Sequence, residues 1–435
     1  MSQTRQYEMT ASGLEWLGDI PVNWIMERAK FNFCQSFDRG NKTPELLAAT
    51  QKYGMYPQRL LEGVVRVMAG TDLQQFKTVH KNDFVISLRS FQGGFERSDY
   101  EGVCSPAYQV FHAHKKYDAN WLKWFFKNEM FIDAMNALTV GIREGRNIKY
   151  EDFANSEIPV PPLPEQAAIA AYLDEKCAAI DGIIAEAKAS IEEYKAWKTS
   201  VISEAVTKGL DPNAEMKDSG VEWIGKMPKH WSCVPMKFVL NERNQKNDPV
   251  VTSERLSLSI DIGVTLYAEK TTNLDRFKED VSQYKVAHAG DFVLNSMNMI
   301  VGAVGIAPLM GCVSPAYYVF YDNDDSHTVA KFCNYIFKNK RLRGCLFSLG
   351  QGIMAIDRGD GRVNTCRLKV SRDDLGRIML PCPAIEEQRK IISFLDKKCA
   401  AIDGIIAEKE SLITELETYK KSLIFETVTG KRRVC

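Results

Sequence analysis

Two short segments, Ser105-Pro106-Ala107-Tyr108 and Ser314-Pro315-Ala316-Tyr317, come within one residue of the [DNS]-P-P-[YFW] loop that stacks and hydrogen-bonds a flipped base in amino-methyltransferases. Alanine stands where the second proline belongs, and both segments lie inside apolar runs, so each reads as a turn entering a buried strand. GVEWIGKM at 220–227 has the spacing of a phosphate-binding G-x-x-x-x-G-K-[ST] loop, but Met227 offers magnesium no hydroxyl. A second copy of that segment, GLEWLGDI, carries Asp19 in the lysine position, which marks a packing turn. His112 and His114 would share one face of a strand, yet no cysteine or carboxylate cluster accompanies them, which argues against a metal site. The 11 cysteines are scattered and form no C-x-x-C pair, and they read as reduced thiols.

Basic residues in glycine-rich loops are the remaining chemistry. Arg143, Arg146 and Lys149 lie in VGIREGRNIK, and Arg358, Arg362, Arg367 and Lys369 lie in DRGDGRVNTCRLK. Such loops can follow a phosphate backbone while an arginine fork reaches guanine O6 and N7. Lys338, Lys340, Arg341 and Arg343 form a further basic run, suited to phosphates, and Arg89, Gln92 and Arg97 are weaker candidates. Lys plus Arg equals Asp plus Glu, 56 each, so a nucleic acid must be met by local patches and not by a global positive field. Trp16, Trp24, Trp223 and Trp231 are assigned to packing, because a reading residue should differ between the two copies and these do not.

The two basic loops occupy equivalent places because most of the chain is written twice. CAAIDGIIAE stands at 177–186 and again at 399–408, and the offset of 222 extends without a gap from Glu165-Gln166 to Val206. Proline-rich entries before both copies suit helix N-termini. Cys177, Ile180, Ile184, Ala187, Ile191, Tyr194, Lys198, Val201 and Ala205 follow the 3,4 spacing of a coiled-coil seam. Cys399, Ile402, Ile406, Lys409, Ile413, Leu416, Lys420, Leu423 and Thr427 repeat it, with a lysine at the same place in each seam. A helix from Glu165 to Thr207 would be roughly 65 Å long at 1.5 Å per residue, and KGLDPNAEMKDSG would stop it. Gly182 and Gly404 fall mid-helix at one register, which suggests a close helix crossing.

The segments before each helix are also paired: SGLEWLGDIPVNW with SGVEWIGKMPKHW, DFVISLRSFQGG with DFVLNSMNMIVG, and SPAYQVF with SPAYYVF. Residues 36–80 and 243–288 diverge almost completely. Period-two runs predict short strands, and DANWLKWFFKNEMFIDAMNAL predicts one helix. The fold class is α+β. Two mixed α/β domains, 1–160 and 211–382, alternate with two long helices, 161–210 and 383–435, which should pack as an antiparallel coiled coil with a pseudo-two-fold internal repeat.

Over nearly everything from Ser12 to Lys431, the chain resembles the specificity subunits of type I restriction-modification systems. The paired E-W-[LI]-G-x-[IM]-P-x-x-W openings, the paired SPAY segments, PLPEQ with AIEEQ, and the repeated CAAIDGIIAE carry the resemblance. It implies a non-catalytic subunit whose two target-recognition domains each read half of a bipartite double-stranded DNA site. It also implies two modification subunits docked on the helices, adenine N6 methylation by those subunits, and restriction subunits that add nuclease and translocase. S-adenosylmethionine, ATP and Mg are then expected on the partners, with no cofactor, catalytic residue or metal on this chain. Ile180, Ile184, Ile191, Tyr194, Val201, Ile402, Ile406, Ile413, Leu416 and Leu423 are the expected coiled-coil and partner-docking positions. No apolar run is long enough to span a membrane and no signal peptide is visible, so a cytoplasmic location is expected. A stand-alone DNA methyltransferase or nuclease with unfamiliar motifs, or a coiled-coil scaffold that does not bind DNA, are the alternatives.

Overall fold

The structure, a computed structural model, describes residues 8–40, 45–61, 73–88, 90–114, 116–138, 148–270, 280–322, 328–353 and 367–434. Its contacts divide the chain into two units that do not follow chain order. One comprises Met1–Lys188 with Glu410–Cys435, and the other Ala189–Lys409. Each unit therefore holds one globular domain and half of each long helix.

In the first unit, an antiparallel four-stranded sheet runs in the order Phe33–Ser36, Gln109–Ala113, Phe84–Ile86, Glu96–Arg97. The second unit has Asn241–Glu242, Tyr317–Tyr321, Phe292–Asn295, Val304–Ile306 in the same order. The register agrees as well: Phe111 faces Phe84, and Phe320 faces Phe292. Each DFV and SPAY segment therefore lies at the centre of its sheet, with the SPAY residues making the turn into the strand. The cores differ in chemistry. Phe33, Phe131 and Phe153 are fully buried in the first unit, and Leu240, Leu342 and Leu375 fill the corresponding places in the second.

The long helices span Leu163–Lys208 and Ile385–Val428, close to the expected limits. At 1.5 Å per residue, 46 residues make a helix about 70 Å long. All the seam residues named above are buried or half-buried, Ile180, Ile184, Ile191, Ile402, Ile413 and Leu423 fully, and Tyr194, Val201, Ile406 and Leu416 partly. In the first unit Asp181 meets Lys420 and Lys188 meets Glu417. In the second, Lys409 lies over Tyr194 and Lys198 meets Asp403. Within each unit the two helical halves thus run in opposite directions.

Two expectations are corrected. Gly182 and Gly404 mark no close crossing: both are exposed, and a methyl group on either would meet nothing within 4 Å. The helix expected over 118–138 is two helices, Ala119–Phe125 and Glu129–Ala137. Asn128 breaks it, because its side chain accepts from the Met130 N–H and caps the second helix. Asn339 does the same in the second unit, accepting from the Arg341 and Leu342 N–H groups.

The glycine after each long helix is a further duplicated joint. Gly209 and Gly430 both adopt φ +74°, a left-handed conformation that ends a helix. Gly209 packs against Trp231, and Gly430 against Trp24 and Pro21. Trp24, Trp223 and Trp231 are buried packing residues, and Trp24 also donates its indole N–H to Glu165 at 2.8 Å.

Candidate nucleic-acid interface

The divergent segments form a hairpin in each unit, Leu47–Thr50 with Gly54–Pro57 and Leu256–Ser259 with Gly263–Leu266. Gly54 (φ +70°) and Gly263 (φ +87°) supply the left-handed residue that closes each turn. The first tip, Gln51-Lys52-Tyr53, rests on the short helix Ser90–Gly93, so tightly that a Cβ on Gly93 would lie 2.7 Å from Gln51 Cγ. The second tip, Ile260-Asp261-Ile262, comes near Gly302, just after the turn Met299–Val301. One topological place thus carries two chemistries. In the first unit Lys52 lies over the Tyr53 ring at 4.8 Å, and Tyr53, Tyr56 and Tyr100 form a chain of ring contacts. In the second, Ile260 and Ile262 are 51% and 77% exposed. Neither tip was among the sequence-derived candidates. Their signal in the sequence is the divergence of 36–80 from 243–288, and not a cluster of positive charge.

A cleft of about 950 Å³ in the first unit lies between this hairpin tip and the helices, lined among others by Arg97, Tyr100, Trp124, Asp181 and Lys420. Its cations are largely met from within. Lys127 pairs with Glu96 at 2.7 Å, Lys188 with Glu417 at 3.5 Å, and Lys420 with Asp181 at 2.7 Å. Burial raises the Glu96 carboxyl above its ordinary range, and the adjacent Lys127 opposes that shift. Arg97 sits in this wall with its guanidinium on Asp99 and Asn120, which leaves its fork engaged.

The remaining candidates are not drawn into one patch. Gln92 is exposed beside the first hairpin tip. Lys149 is exposed at the N-terminus of the helix Tyr150–Asn155. Lys369 is exposed on the strand Arg367–Lys369, which pairs antiparallel with Gln351–Ile353 and so brackets residues 354–366. Lys340 and Arg341 are exposed on the first turn of the helix Lys340–Leu349, where the helix dipole favours an anion. Arg343 turns away and donates to the Val301 carbonyl at 3.0 Å, while Lys338 lies over the Tyr335 ring. Arg89, Arg143, Arg146, Arg358 and Arg362, and the side chain of Arg367, lie outside the described residues.

The SPAY turns are held by lysines that sequence reading passed over. Lys77 Nζ donates to the Tyr108 carbonyl at 2.5 Å and Lys285 Nζ to the Tyr317 carbonyl at 2.9 Å. Burial lowers the pKa of both ammonium groups, as befits structural latches. His112 and His114 lie with ring centroids 6.3 Å apart, and among the described residues no group of three His, Cys, Asp or Glu could hold a metal ion. No described helix is long and apolar enough to cross a membrane.

Residues 33–193 match the family described as type I restriction modification DNA specificity domain. The MjaVIII specificity subunit of a type I restriction enzyme from Methanocaldococcus jannaschii is 26% identical over 432 residues, covering 95% of this chain and 94% of that protein. A solved chain from work on complex assembly and conformational transition of the type I R-M system superimposes with a TM-score of 0.67 at 15% identity, over 94% of this chain and 98% of its own. The HsdS subunit from Thermoanaerobacter tengcongensis does so with a TM-score of 0.52 at 15% identity, over 97% and 100%. The likeness to these two solved chains is one of fold, a mixture of helix and strand consistent with the α+β class.

Proposed function

We propose how this chain, which belongs to the specificity subunits of type I restriction-modification systems, does its work: each unit reads one half of a bipartite, asymmetric DNA site. The chain supplies sequence recognition for the complex and leaves catalysis to other subunits. One observation carries the bipartite reading. The same scaffold is built twice, and its hairpin tips differ, cationic and aromatic in one unit, aliphatic with an exposed aspartate, Asp261, in the other. A base-reading surface must vary with the sequence it reads, while the scaffold beneath it need not.

In this reading the long helices act as one antiparallel coiled coil that relates the two repeats by an approximate two-fold axis and sets the spacer between half-sites. Their outer faces dock two modification subunits. The identical exposed residues Ala178, Ala179 and Gly182 on one helix and Ala400, Ala401 and Gly404 on the other support this, since a small-residue surface offers a partner close approach without serving this chain's own packing. Restriction subunits complete the assembly. S-adenosylmethionine, ATP and Mg are bound by the partners, and the complex works in the cytoplasm.

The test is a domain exchange. Replacing residues 13–160 by the corresponding domain of a relative should alter one half of the methylated site and leave the other unchanged. A map of methylated adenines in which both halves change would sink the reading.

A further inference from the structure

In each unit, the strand that pairs with the segment entering the long helix is followed by a single 3-10 turn, Ala29–Phe31 or Met236–Phe238. The surrounding sequences, ERAKFNF and VPMKFVL, share only the Lys-Phe pair. The first residue of each turn is buried, Ala29 and Met236, whereas Phe31 is 67% and Phe238 72% exposed. In both turns the preceding lysine lies over the ring, Lys30 Nζ at 5.5 Å and Lys237 Nζ at 5.0 Å from the centroid.

The turns are held alike. The Ala29 N–H donates to Ser156 O at 2.9 Å, the Met236 N–H donates to Ile378 O at 2.8 Å, and each turn closes with a 2.9 Å bond, Asn32 N–H to Ala29 O and Val239 N–H to Met236 O. A single exposed phenylalanine is ordinary. Two at equivalent positions, projected by identically anchored turns while the residues around them diverge, are not explained by packing, because neither ring serves the core.

The occupant follows from the same observations. A residue that reads bases should differ between the units, and these do not. A protein present in two identical copies meets that condition, and aromatic side chains are preferred anchors in protein interfaces.

We infer that Phe31 and Phe238 are equivalent anchors, each entering an apolar pocket on one of two identical protein partners, with a carboxylate at the pocket rim facing Lys30 or Lys237. Resting on the functional reading above, the inference identifies those partners as the two modification subunits and adds a contact on each globular domain to the docking on the helices.

The test uses the full chain and the modification subunit of its own system, with uptake counted by native mass spectrometry and affinity measured by titration. The unaltered chain should take up two copies. Phe31→Ala should leave one copy bound as before and weaken the other by about tenfold or more, the loss typical of an interface hot spot. Phe238→Ala should do the same for the other copy, and the double variant should weaken both. Lys30→Glu is the second probe of the first contact and should weaken the same copy as Phe31→Ala. Thermal melting of the chain alone should be unchanged in each variant. Unaltered uptake of two copies by the double variant would overturn the inference and leave the functional reading standing. Failure of the unaltered chain to take up two copies would remove both. Weakened DNA binding with normal partner uptake would assign the rings to DNA, and self-association of the chain lost in Phe31→Ala would assign them to a second copy; either result overturns the inference.

Discussion

Lys198 Nζ lies 2.7 Å from both carboxylate oxygens of Asp403, and at the position 222 residues away Lys420 Nζ lies 2.7 Å from both oxygens of Asp181. The lysine that breaks each seam is therefore met by the aspartate of the decapeptide CAAIDGIIAE on the opposite helix. Taken alone, each helix has a faulty seam. Together they have two matched ion pairs, and only the antiparallel register observed in each unit brings both about.

These pairs should set register more than stability. Lys198 is 30% and Asp403 55% exposed, so solvent screens the attraction and a coupling of about 0.2–1 kcal/mol is expected. Lys198→Asp should lower the denaturation midpoint by opposing two carboxylates, and adding Asp403→Lys should restore most of it. A double-mutant cycle by denaturant unfolding measures the coupling; no recovery in the swapped pair would show that the pairing contributes nothing.

Gly182→Ala and Gly404→Ala should each stabilise the chain. Glycine inside a helix costs about 0.5–1 kcal/mol relative to alanine, and the added methyl meets nothing within 4 Å. Thermal melting of the isolated chain checks this. A fall in melting temperature would point to the close crossing that the sequence suggested.

Gly430→Ala should do the reverse. At φ +74° an L-residue is strained by about 1–2 kcal/mol, and its Cβ would stand 2.4 Å from Pro21 Cδ. Gly220→Ala is the control, since Gly220 has φ +69° but open space around it. The melting temperature should drop further for Gly430→Ala than for Gly220→Ala, and equal drops would mean that the contact with Pro21 is slack.

Thiol labelling should be selective. Cys34 is the exposed cysteine among those described, with Sγ 3.3 Å from His114 Nε2. Burial pushes the Cys177 thiol up to about 11 and the Cys104 thiol up to about 12, so neither is appreciably a thiolate at pH 8. Peptide mapping after brief iodoacetamide treatment of the native chain should find Cys34 alkylated ~tenfold or more ahead of both. Comparable labelling of Cys177 would mean that its helix pair opens readily.

The sequence by itself determined what is local or repeated. The seam spacing marked both long helices nearly to their ends, the period-two runs at Phe84–Ile86 and Phe292–Asn295 marked short strands, and the duplication showed that one scaffold occurs twice. It also carried the family resemblance, because the paired motifs are contiguous strings. Tertiary structure decided whatever depends on residues distant in the chain. That Lys198 has Asp403 as its partner, that Gly182 faces solvent, that Arg97 is engaged with Asp99 and Asn120, and that Asn128 splits a helix all turn on how elements come together. Periodicity tells which face of a helix is apolar, but not what lies opposite it. Charge in a loop sequence likewise does not tell whether an arginine is free to reach DNA or satisfied at home, since an ion pair depends on distance in space, and only the folded chain sets that distance.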